Sequence, residues 1–224
     1  MSRKTEFLVE AFKLIKDFEG LQLPEQVSAD KSSTRANIYE KVELYYRIVS
    51  VWSGNLGKVT YELFFTAKPL PALIITREIV LQAAIFFGFV YALEKAVQTG
   101  HYSDVEREVN RLLLHNRSDK SGSPEGNVRN FLALVNDRFT GFRDSFERLG
   151  DCILPSRKGF EMLDGGVDLK SLQIEHFLTT DESAYEIGVK NLVSGFVVLN
   201  FSFNKLLAIH SQFARACKVP LGLN

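Results

Sequence analysis

No sign of charge dominates this sequence. Its 27 Lys and Arg balance 27 Asp and Glu, and residues 1–35, 36–67 and 68–125 hold six, three and seven of each sign. Only 151–180 tilts, with three basic residues against five acidic. A chain that grips nucleic acid through its phosphates shows a basic patch or stripe, so nucleic acid is not an expected partner. Cysteine is nearly missing as well. Cys152 and Cys217 have no paired spacing, which argues against a disulfide scaffold and fits a reducing compartment.

A long apolar run is also lacking. From Ile79 to Leu93 the chain is apolar except at Gln82, and charges fence it at Arg77, Glu78, Glu94 and Lys95. Fifteen residues at about 1.5 Å each reach roughly 22 Å, short of a roughly 30 Å bilayer core. The expectation is no membrane span but a buried central helix, since a helix apolar on every side must be covered by neighbours. Met1 to Phe7 lead into an amphipathic pattern with Glu10, Lys13 and Lys16 instead of a signal-peptide core, so the expected location is cytoplasmic.

Catalytic signatures are missing too. The sequence has no phosphate-binding glycine loop, no dinucleotide fingerprint and no nucleophile elbow. Gly122-Ser-Pro-Glu-Gly126 sets its serine one place off the elbow pattern and follows no strand. His101, His115, His176 and His210 share no ligand spacing with each other or with the cysteines. No metal and no cofactor are therefore expected.

What is present is helical periodicity. Phe7, Leu8, Ala11, Phe12, Ile15 and Phe18 predict a helix over 2–19 with Ser2 as its cap. Ile38, Val42, Tyr45, Val49 and Trp52 form one stripe and Glu40, Glu43, Arg47 and Ser50 another, predicting a helix over 35–53. The alternation Val59, Tyr61, Leu63, Phe65 after Ser53–Gly57 leaves a small β-hairpin within 42–67 as the alternative to a helix throughout. Pro69 and Pro71 are read as a break before a central helix over 76–97. Ser103-Asp-Val-Glu106 opens a helix over 104–115. A polar loop at 116–126, expected to be mobile, precedes one unbroken helix over 127–149 with Phe139 mid-stripe. An irregular segment, 151–179, leads to a final helix over 182–216. The fold class expected is all-α: one domain, 1–224, with about six or seven helices around two buried ones.

Few residues suggest chemistry. Arg107, Arg111 and His115 share one helix face at four-residue spacing and lead into Arg117 and Lys120. An Arg and a His on a helix can position a phosphodiester, and the set resembles the Arg–His motif of the HEPN ribonucleases. The spacing departs from that family, with three residues between Arg111 and His115 and seven between Arg107 and His115. The resemblance implies RNA cleavage by Arg111 and His115, with Arg107, Arg117 and Lys120 as anion contacts. A solvated polar face is the plainer reading. His210 lies on an apolar face and reads as a boundary histidine bonded to a neighbouring carbonyl.

The sequence favours a non-enzymatic interaction or assembly protein. Two all-round apolar helices ask for more cover than four amphipathic ones comfortably supply, leaving apolar surface for a protein partner or, as the simplest case, a homodimer. Phe160, Met162 and Phe177 in the irregular segment are candidate interface residues. The alternatives are the HEPN-like RNA-cleaving enzyme and a binder of an apolar ligand in a Phe-lined cavity between helices.

Overall fold

A computed structural model describes residues 3–21, 34–114, 124–153, 167–168, 173–174 and 182–218. Seven helices run through them in chain order: α1 (Arg3–Glu19), α2 (Thr34–Phe65), α3 (Pro69–Thr99), α4 (Ser103–Leu114), α5 (Pro124–Arg138), α6 (Phe142–Ile153) and α7 (Glu182–Ala216). The architecture is an all-α bundle. Its sheet content among the described residues is one two-residue antiparallel ladder, with Val167 opposite Ile174 and Asp168 opposite Gln173.

Helix α3 is the axis. Pro69 and Pro71 do not interrupt the chain ahead of it; they lie in its first turn. Proline lacks the N–H that a first turn leaves unpaired, and its φ is already helical. Gly100 ends the helix in the left-handed conformation, its N–H bonded to Ala96 O at 2.8 Å. Ile79, Val80, Ala83, Ala84, Phe86, Phe87, Phe89 and Val90 are all buried, as an all-round apolar helix requires. Helices α2, α4, α5, α6 and α7 all pack against α3, α7 most extensively.

Helix α3 also corrects the length argument. Its apolar run sits inside a helix of 31 residues, about 46 Å long at 1.5 Å per residue. Among the described residues, Pro69–Thr99 and Ser183–Ala216 are long and apolar enough to cross a membrane by length and composition. The core helix of a soluble bundle passes the same test when its neighbours cover it. Burial within the molecule is 61% for the α3 window and 44% for that of α7.

Residues 34–65 are one continuous helix, the reading favoured over the alternative hairpin within 42–67, which does not form. The glycine that suggested its turn has a different use: a Cβ at Gly57 would strike the Phe196 ring and Ile15, so the bare backbone lets α2 close on α7 and α1. The unbroken helix over 127–149 is instead α5 and α6 joined at a corner. Gly141 takes φ +87°, and Asn136 Oδ1 accepts from the N–H groups of Gly141 at 3.1 Å and Arg143 at 3.3 Å, capping α6. Apolar spacing continues through the corner because both short helices turn one face inward.

An aromatic cluster joins the sequence-distant helices. Phe203 of α7 is fully buried against Phe18 of α1 (4.7 Å between centroids), Tyr46 of α2 (4.9 Å) and Phe86 of α3 (4.7 Å). Nearby, Asn200 Nδ2 donates to Leu14 O at 3.1 Å, tying α7 to α1 through the backbone. Lys58 of α2 pairs with Glu19 at the end of α1 and holds that carboxyl below its ordinary range.

Candidate functional site

Of the candidate catalytic, anion-binding and interface residues, Arg107 and Arg111 are described. His115, Arg117, Lys120, Phe160, Met162 and Phe177 lie outside the described residues, as do the 116–126 loop apart from Pro124–Gly126 in α5 and most of 154–179. Both arginines are held by carboxylates of their own helix. Arg107 Nη2 meets Asp104 Oδ1 at 3.0 Å on the exposed side of α4. Arg111 makes a bidentate pair with Glu108, Nε to Oε2 at 2.9 Å and Nη2 to Oε1 at 2.5 Å. The Glu108 carboxylate raises the Arg111 pKa, so the guanidinium stays charged and occupied. Beside the pair, the Tyr45 hydroxyl accepts from Gln82 Nε2 at 3.1 Å, and burial pushes its pKa up. Tyr45 is thus a neutral hydrogen-bonding group.

His210 is buried and bonds to a side chain, not to the carbonyl expected for it. Its Nε2 lies 2.8 Å from the Tyr39 hydroxyl, and burial lowers its pKa. Among the described residues no group of three or more His, Cys, Asp or Glu is arranged to hold a metal.

A Phe-lined cleft of about 630 Å³ opens between α3, α5 and α7. Phe87, Phe139 and Phe201 form its aromatic floor, the last two edge to face at 5.5 Å, and the Arg138 guanidinium stacks 4.6 Å from the Phe201 ring centre. Asp137, Arg138 and Lys205 supply charge, with Lys205 Nζ 2.6 Å from Glu94 Oε2. Phe139 belongs to this lining and is half-buried, not the core residue its spacing implied.

The largest departure from the sequence reading lies on α2. Glu43, assigned to the polar stripe, is buried, while Trp52, assigned to the core stripe, is exposed. Glu43 Oε1 has no hydrogen-bond partner among the described residues, and burial raises its pKa. The outward face of α2 carries Leu44, Ile48, Val51, Trp52 and Val59, all exposed, Val51 at 65%. Leu44, Ile48, Val51, Asn55 and Val59 recur in steps of four, three, four and four, so they fall on one face. The inward face carries Ile38, Val42, Tyr45, Val49 and Phe64. Helix α2 is therefore apolar on two opposite sides. That second stripe is present in the sequence as a second helical repeat, overlapped by the alternation from Val59 to Phe65 that suggested a hairpin. Exposed Phe12 of α1 meets half-buried Tyr61 of α2 at 5.1 Å between ring centres, and Tyr61 in turn stacks on exposed Phe65 of its own helix at 6.1 Å.

Compared with known proteins, the chain matches no family model, no curated protein and no solved structure.

Proposed function

We propose that the protein is a soluble, cytoplasmic, non-enzymatic interaction protein that assembles with other protein chains through the outward face of α2. One observation carries the reading: a helix whose inward face already fills its place in the core has a second row of large apolar side chains facing out. Leu44 to Val59 span fifteen steps, about 22 Å of helix. Covering such a row returns about 25 cal/mol per Å² of apolar surface. Trp52 near its middle is the residue type that most often dominates an interface. The arginines of α4 are each engaged by a carboxylate of their own helix, which competes with an RNA phosphate for them. Sedimentation velocity between about 1 and 100 μM, dissociation constants worth roughly 8 to 5.5 kcal/mol, tests the reading. The expected result is association that rises with concentration and is lost in Val51→Asp, with thermal stability unchanged. Wild-type protein and variant behaving alike across that range would count against it.

A second reading rests on the cleft between α3, α5 and α7, whose phenylalanine floor suits an apolar ligand. Native mass spectrometry of freshly purified protein tests it. A bound mass lost in Phe201→Asp supports it, and a bare chain mass opposes it.

A further inference from the structure

We infer that the chain docked on the outward face of α2 is a second copy of the same chain, its α2 antiparallel about a two-fold axis between Val51 and Trp52. This rests on the reading that the outer face of α2 is the docking surface. The row is its own complement. Its midpoint falls between positions 51 and 52, since Leu44 and Val59 end it. Reversing one helix about that midpoint sets Leu44 against the partner's Val59, Ile48 against the partner's Asn55, and Val51 against the partner's Trp52. Each contact then occurs twice, as a closed two-fold interface requires. The four-three-four spacing from Leu44 to Asn55 is that of a seam between helices crossing at about 20°.

Charge selects the antiparallel arrangement. Lys41 precedes the row at its N-terminal end and Glu62 follows it at the other. In the antiparallel register Lys41 faces the partner's Glu62 at both ends. A parallel pair would set lysine on lysine and glutamate on glutamate, which disfavours it. Charge also selects a protein over a lipid surface. The flanks of the row carry Glu40 and Glu62 beside Lys41, Arg47 and Lys58, whereas a helix lying on a membrane is rich in Lys and Arg on its polar face.

Disulfide trapping in the full chain tests the register, with the buried Cys152 and Cys217 left in place. Leu44→Cys protein mixed with Val59→Cys protein should give a linked dimer on mild oxidation, while neither alone should. Lys41→Glu should weaken the dimer about three- to tenfold, the scale of two exposed ion pairs, and adding Glu62→Lys should restore it. Linkage of each cysteine variant to itself would overturn the antiparallel register. A dimer that forms without the mixed linkage and ignores the charge swap would overturn this inference while leaving the docking surface standing. A monomer that binds phosphatidylserine vesicles through Val51 would remove both, in favour of a lipid surface.

Discussion

At the scale of single residues, two buried titratable groups pull stability in opposite directions. His210 sits beside Tyr39 with its pKa lowered by burial from an ordinary 6.5. The folded state therefore binds a proton less readily than the unfolded one. Its contribution is fully present above pH 6.5 and is lost as pH falls through the folded value. Glu43 has the opposite sign. Its pKa is raised by burial from 4.5, so its contribution is present below that value and lost as pH rises through the folded one. Thermal melts between about pH 7 and 5, the region where histidine titrates, should carry a His210 contribution that falls on the acid side. In His210→Gln that slope should flatten, and an unchanged slope would remove His210 as its source. At neutral pH, Glu43→Gln should match or exceed the wild type by up to about 2 kcal/mol, because an imperfectly paired buried carboxylate costs more than an amide. Spacing places His210 on an apolar face, but neither its Tyr39 partner nor the burial of Glu43 is legible from it. Periodicity places a residue on a face, and only the packing of α2 against its neighbours decides that Glu43 turns in and Trp52 out.

At the scale of elements, the central prediction concerns Phe203, where α1, α2, α3 and α7 meet through rings. Phe203→Ala should cost about 3–5 kcal/mol in denaturant melts, the usual loss for a buried phenylalanine. Phe139→Ala, at the half-buried corner after α5, should cost about 1–2 kcal/mol, since less apolar surface returns to water. Equal losses would mean the corner is as much core as the cluster. The elements themselves were largely readable. Helices α1, α4 and α7 fall within a residue or two of their apolar repeats, and α3 was recognised by being apolar all round. Glycine and proline do more than punctuate the chain: Gly57 serves close approach and Pro69 starts a helix. At Gly141 the reverse held: a true corner was hidden because the apolar period runs through it.

At the scale of the whole molecule, the question is whether α3 and α7 meet lipid or protein. The proposal of solubility predicts that the chain stays in the supernatant without detergent after cell lysis. Recovery only in a membrane pellet that resists alkaline wash would overturn it and make the apolar windows of both helices spans. The sequence predicts a surplus of apolar surface, and the outward face of α2 carries exposed apolar side chains. It could not locate that surplus, because which face of α2 remains outside depends on how five neighbours share the cover of α3. The same arrangement constrains the order of events during synthesis. Helices α1, α2 and α3 leave the ribosome well before α7, yet α7 supplies the largest cover of α3 and reaches back to Leu14 through Asn200. Until the distant helix arrives, the side of α3 that α7 covers stays bare in the emerging chain, an apolar surface of the kind that invites aggregation during synthesis.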